Sequence, residues 1–268
     1  MPAWICATCA VQYPDTAEPP PRCPICEDER QYVGWDGQRW TTAAELAGNH
    51  ATEVREEEPD LIGIGVTPKF GIGQRALLVR TPHGNVLWDA IALLDDAARE
   101  AIAAAGGIDT ICISHPHFYA AHVDFADAFD ARVLLPRADE QWIQRRSDRL
   151  ELFDDRVDVL PGVTLARIGG HFDGAAVLHW ADGSEGRGAL LTGDTITVVQ
   201  DREWVSFMWS YPNLIPLDAE TVRTIVDRVD PFPFDRIYGG WWGRVVLTDS
   251  PGAVRRSADR YIARLEGR

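Results

Sequence analysis

The sequence predicts an α/β protein that carries a small metal-binding module at its N-terminus. Three observations predict it. Four of the five cysteines fall within the first 26 residues, as two C-x2-C pairs. Apolar runs of strand length come first as hairpins and then alternate with helical segments, an order that fits strands sandwiched with helices better than a bundle or a barrel. No run reaches the roughly 18 apolar residues of a membrane span.

Composition narrows the classes further. A chain of 268 residues, 46% hydrophobic and 25% charged, can bury a core without disulfide staples. The formal charge is −15, from 26 basic and 41 acidic residues, and Lys69 is the single lysine. Nucleic-acid and anionic-membrane binders need a basic footprint, so neither partner is expected. The Ala-, Arg- and Asp-rich usage points to a bacterial source. The start, Met1-Pro2-Ala3-Trp4-Ile5-Cys6, has no basic head and no apolar signal core, so a cytoplasmic location is expected.

Cys6, Cys9, Cys23 and Cys26 form two pairs separated by thirteen residues. Each pair offers two thiolates from one tight turn, and two such turns complete a tetrahedron. The text around them, Trp4-Ile5-Cys6-Ala7-Thr8-Cys9 and Cys23-Pro24-Ile25-Cys26, resembles small zinc ribbons and short rubredoxin-like modules. That resemblance implies a structural ion, zinc by default, with Tyr13 and Tyr32 packed over the knuckles. Iron would make the module an electron carrier. Four ligands fill the coordination sphere, so chemistry is expected elsewhere.

The module is assigned to residues 1–35. Residues 36–60 read as a linker with one short helix, because Thr42-Ala43-Ala44-Glu45 has the spacing of a capping box and Glu53 to Asp60 is an acidic run. The large domain is then 61–268. Its expected strands are Leu61–Val66, Arg75–Thr81, Asn85–Trp88, Ile108–Ser114, Arg132–Pro136, Val157–Ile168, Ala175–Trp180, Ala189–Thr192 and Arg236–Tyr238. Its expected helices are Leu93–Ala105, stopped by Gly106-Gly107, then Ala121–Phe129, Leu217–Asp230 and Val254–Leu265.

Three strand ends carry candidate ligands. The strand ending at Ser114 runs into His115-Pro116-His117; in an extended segment residues i and i+2 project to one side, so both imidazoles reach one ion. Ile168-Gly169-Gly170-His171 places a third imidazole on a glycine-rich loop, and Leu191-Thr192-Gly193-Asp194 places a carboxylate past another apolar strand. Three imidazoles and one carboxylate make a plausible metal set.

Over roughly residues 61–245 these features, in this order, resemble the metallo-β-lactamase-fold superfamily. Leu87-Trp88-Asp89 resembles its first strand end, His115-Pro116-His117 its H-x-H, His171 its third histidine and Asp194 its bridging carboxylate. The resemblance implies an αββα sandwich with its metal at one sheet edge. Two positions depart from the family. Tyr119 and Ala120 stand where the second site has Asp and His, and Gly239-Gly240-Trp241-Trp242-Gly243 stands at the late histidine loop. One pocket zinc is therefore expected, on His115, His117, His171 and Asp194, with iron the alternative at either site. His122 and Asp124 sit too close in sequence to share a helix face, so they are not expected to restore a second site.

The resemblance implies a metal-dependent hydrolase, in which metal-bound hydroxide attacks a carbonyl or ester-type small molecule. Asp194 would orient the nucleophile and Tyr119 would donate to the developing oxyanion. Trp209, Tyr211, Trp241 and Trp242 offer an aromatic lining for the substrate. Two rival readings stand beside it. One is a non-haem iron oxidoreductase or dioxygenase with a rubredoxin-like electron-transfer module. The other is a degenerate, non-catalytic member whose ribbon mediates protein contact or self-association.

Overall fold

Strands that are apolar on every residue need cover on both faces, and this chain builds two large sheets from such runs. The computed structural model describes residues 1–268 and divides into two units. One comprises Met1–Leu135 and Glu140–Leu152, the other Pro136–Asp139 and Phe153–Arg268.

The first unit opens with a three-stranded antiparallel sheet in the order Gln12–Asp15, Ala3–Cys6, Trp40–Thr42. Thr42 ends the third strand and caps the helix Ala43–Ala47. The Glu45 N–H donates to its hydroxyl at 3.2 Å, while its own N–H donates to the Glu45 carboxylate at 3.1 Å. Such a box is worth about 1 kcal/mol. Ile5, Ala10 and Leu46 then bury with Ala92 and Leu93 in one apolar cluster.

A seven-stranded sheet follows, in the order Leu150–Phe153, Arg132–Pro136, Thr110–Cys112, Gly84–Trp88, Arg75–Thr81, Leu61–Thr67, Ala51–Glu58. The last four are antiparallel neighbours, whereas Gly84–Trp88, Thr110–Cys112 and Arg132–Pro136 run parallel. Parallel neighbours need crossovers, supplied here by the helices Asp96–Ala104 and His122–Phe129.

The expected linker over 36–60 is not one. Residues 40–42 complete the small sheet, and Ala51–Glu58 is the edge strand of the large one, paired from Ala51 opposite Thr67 to Glu58 opposite Leu61. An edge strand tolerates charge, and its carboxylates find partners: the fully buried Arg75 pairs with Glu57. The acidic run therefore marks an edge rather than a tether.

The second unit centres on a six-stranded sheet in the order Arg156–Leu160, Val163–Arg167, Ala176–Trp180, Ala189–Gly193, Arg236–Gly239, Val245–Val246. The stretch expected as one strand over 157–168 is a hairpin, because Pro161-Gly162 turns it with Gly162 at φ +79°. Val222, Ile225 and Val229 of the helix Ala219–Val229 pack with Val254, Ala258 and Ile262 of the helix Ser250–Leu265 against Val177, Leu190 and Ile237 of the sheet. That last helix starts four residues earlier than expected, with Pro251 in its first turn. No helix of the chain is long and apolar enough to cross a membrane.

Candidate metal centres

The tetracysteine segment buries all four sulfurs, each residue at most 1% exposed. Cys6 and Cys26 Sγ lie 3.6 Å apart and Cys9 and Cys23 Sγ 3.7 Å. The edge of a tetrahedron with metal–sulfur bonds of about 2.3 Å is about 3.8 Å, so the sulfurs fit one tetrahedral ion. Without a cation the four thiols divide: contacts from neighbouring sulfurs hold Cys6 and Cys23 below their ordinary value, whereas burial pushes Cys9 up and the Cys23 contact pushes Cys26 up; a bound divalent ion would favour the thiolate at all four. The Tyr13 hydroxyl donates to Cys23 Sγ at 3.1 Å, and the Gln38 amide to Cys6 Sγ at 3.2 Å. Trp40 meets the Tyr13 ring edge-on at 4.8 Å. Tyr32 does not cover the knuckles; it is 52% exposed.

In the first unit, Asp89 ends the strand Gly84–Trp88 at φ +63°. Its carboxylate accepts the Ser114 N–H at 2.8 Å, and its own N–H donates to the Cys112 carbonyl at 2.8 Å. These bonds fix the end of the neighbouring strand, from which His115 departs. The histidine pair is not extended as expected. Pro116–Phe118 forms a single 3-10 turn, and that turn brings the two imidazole centroids to 5.2 Å at 79°. His115 Nδ1 lies 2.9 Å from the Ser114 hydroxyl. Both histidines are buried, as is Tyr119.

Neither His122 nor Asp124 falls within the cluster of close metal-donor atoms. A carbonyl only accepts, so the 3.0 Å contact between His122 Nδ1 and the Tyr119 carbonyl fixes the proton on Nδ1. Burial pushes the His122 imidazole down to about 4, which keeps it neutral. Asp124 is held by Gln12 and Arg145. Cys112 is buried in its strand, and burial pushes its thiol up, as fits a small apolar side chain.

In the second unit, His171 follows Gly170, which sits at φ +93°, where an added Cβ would come within 2.6 Å of Ile225 Cδ1. Glycine is required there by conformation and by close packing. His171 Nδ1 donates to the Met208 carbonyl at 3.1 Å, which leaves the Nε2 lone pair for a cation. Nε2 lies 3.9 Å from Asp194 Oδ1. Asp194 occupies the turn after Ala189–Gly193, and its carbonyl accepts from the hydroxyls of Thr197 and Tyr211, each at 2.6 Å. Burial pushes its carboxyl up to about 8 against the pull of its own backbone amide; a bound cation would reverse that direction.

Two groups of buried side chains each bring their donor atoms within 4.8 Å of one another: Cys6, Cys9, Cys23 and Cys26, and His115, His117, His171 and Asp194. The second set, three imidazole nitrogens and one carboxylate, suits a divalent ion such as zinc or iron.

The aromatic residues separate. Tyr211 is tied to Asp194, with its ring 5.7 Å from that of His171. Trp209 packs against the apolar core of the second unit. Trp241 and Trp242 form the turn between the strands Arg236–Gly239 and Val245–Val246, both partly buried. Trp204, in the same aromatic stretch, lies under Arg260 of the terminal helix, whose guanidinium is 3.6 Å from its ring centroid. Sequence reasoning missed Ser114, Gln38 and the Met208 carbonyl. A hydroxyl residue directly before His115 was a visible signal; the carbonyl has none.

The chain has the metallo-β-lactamase fold. It aligns with VMB-1 at a TM-score of 0.60 and 12% identity, over 80% of this chain and 98% of that one. It aligns with a metallo-β-lactamase of Cronobacter sakazakii at 0.52 and 19%, over 80% and 96%, and with the metallo-β-lactamase SMB-1 at 0.50 and 18%, over 78% and 93%. No family model matches the sequence. The chain belongs to the family of YmaE, an uncharacterized protein of Bacillus subtilis (strain 168), with 46% identity over 99% of this chain and 97% of YmaE.

Proposed function

We propose that the protein is a metal-dependent hydrolase with one zinc ion in its pocket, acting on an ester- or carbonyl-type small molecule. The observation that carries the reading is the buried group of three imidazoles and one carboxylate on this fold. His115, His117, His171 and Asp194 are its ligands, and the four cysteines hold a second, structural zinc. A divalent ion in the pocket supplies Lewis acidity and a nucleophile that ionises near neutral pH.

The chain's own residues supply the rest. The Met208 carbonyl sets the tautomer of His171, and Tyr211 and Thr197 hold the turn that carries Asp194. Asp194 orients the nucleophile. The Tyr119 phenol donates to the oxyanion that develops at the attacked centre. Trp241 and Trp242 guide the apolar part of the substrate.

A single pocket ion is supported by the side chains at the family's second site. Tyr119 and Ala120 replace its ligands, His122 is not among the close donor atoms, and Asp124 is committed to Gln12 and Arg145. The net charge of −15 favours a small molecule over nucleic acid as substrate.

A panel of esters, lactones and thioesters tests the reading. The zinc-loaded protein is expected to turn over at least one class, and His115→Ala to abolish that turnover together with pocket metal. Activity retained in His115→Ala overturns the assignment. A coloured, iron-loaded protein without hydrolytic turnover points instead to the oxidoreductase reading.

A further inference from the structure

Gln12 joins the tetracysteine segment to the histidine loop. It lies three residues after Cys9, begins the strand Gln12–Asp15 and is 2% exposed. Its N–H donates to the Ala120 carbonyl at 3.1 Å. Its side-chain amide donates to Asp124 Oδ2 at 2.7 Å, and its Oε1 accepts from Arg145, whose guanidinium also holds Asp124 Oδ1 at 2.5 Å. Asp124 stands on the first turn of the helix His122–Phe129, directly after the histidine loop.

The same loop is pinned from its other side. The Ala90 N–H donates to the Phe118 carbonyl at 3.3 Å, and the Ala121 N–H to the Ile91 carbonyl at 3.2 Å. Ala120 itself is held at φ +38°, a conformation that an alanine keeps only where its surroundings impose it. The cysteine segment is also tightly seated: an added Cβ on Gly71 would lie 2.8 Å from the Ala10 Cβ.

We infer that the tetracysteine centre positions the histidine loop, with Gln12 as the link. The ion fixes the Cys6–Cys9 knuckle, the knuckle fixes Gln12, and Gln12 fixes the turn that follows His117. The inference rests on the reading that both donor sets hold metal. Gln12 is a positioning residue; it offers no ligand to either ion. Partners bonded directly to a metal ligand change metal affinity by about 10–100-fold when removed, and a residue one step further out is expected at the lower end of that range.

The test uses the full chain loaded with cobalt at both sites. Thiolate-to-cobalt charge transfer reports the cysteine centre, and the remaining ligand-field bands report the histidine pocket. Gln12→Ala breaks the clamp from the ribbon side, and Asp124→Asn weakens it from the helix side without touching the ribbon. Both variants are expected to lose pocket cobalt to a chelator about tenfold faster, with shifted ligand-field bands and unchanged charge transfer. Amide hydrogen exchange over residues 118–123 is expected to rise in both. Wild-type spectra, release and exchange overturn the inference. So does an equal weakening of both sites with exchange raised throughout, because that reports loss of fold. A wild type that takes cobalt at the thiolates alone contradicts the metal reading of the pocket, and the exchange data then decide the role of Gln12 alone.

Discussion

The Asp194 carboxylate is buried in a turn held mainly through its backbone. Its carbonyl takes the Tyr211 and Thr197 hydroxyls, so the side chain can face His171. Tyr211 was expected from sequence to line the substrate path; its hydroxyl serves the ligand turn. Tyr211→Phe keeps the ring and removes that bond. It is expected to cost about 1 kcal/mol of stability and to weaken pocket metal binding about tenfold, read by thermal unfolding and by competition with a chelator. The candidate ligands were legible because they follow apolar strands in a fixed order. Their supports were not, since a bond such as that from His171 to the Met208 carbonyl leaves no mark on the side chain of Met208.

Helix caps and edge strands govern what could be read at the level of elements. Strands such as Arg75–Thr81 and Arg132–Pro136 end where their apolar runs end. The helix Asp96–Ala104 begins later than its apolar periodicity implies, because Asp95 caps it through the Ala98 N–H at 3.0 Å. The same carboxylate accepts the Thr52 N–H at 2.8 Å and the Thr52 hydroxyl, which clasps the edge strand to the helix. Burial opposes the charge on Asp95, but the bonds from Thr52 and Ala98 outweigh it and hold the carboxyl below its usual range. A carboxyl depressed in the folded state binds its proton first in the unfolded chain. Its stabilisation is therefore present above the unfolded value of about 3.9 and lost as pH falls through the folded value. Asp95→Ala is expected to cost about 1–2 kcal/mol at neutral pH, and the difference from wild type to shrink below about pH 4, followed by urea unfolding. The edge strand Ala51–Glu58 escaped the sequence reading because its charges mimic a solvated tether; only pairing with Leu61–Thr67 identifies it.

At the scale of the whole molecule, two donor sets of different chemistry divide the work. Four thiolates would close one coordination sphere and stabilise the fold around it, while imidazoles and a carboxylate would make up the other. The cysteine pattern announced the first from spacing alone. The second required four residues spread over some eighty positions, and it became legible through their resemblance in order to a known fold, which the structure bears out. The departures at Tyr119, Ala120, Trp241 and Trp242 reduce the expected pocket content to one ion. Elemental analysis of the fully loaded chain tests this most directly. The account predicts two equivalents of metal per chain, with His115→Ala retaining one; three equivalents in the wild type, or one, would contradict it.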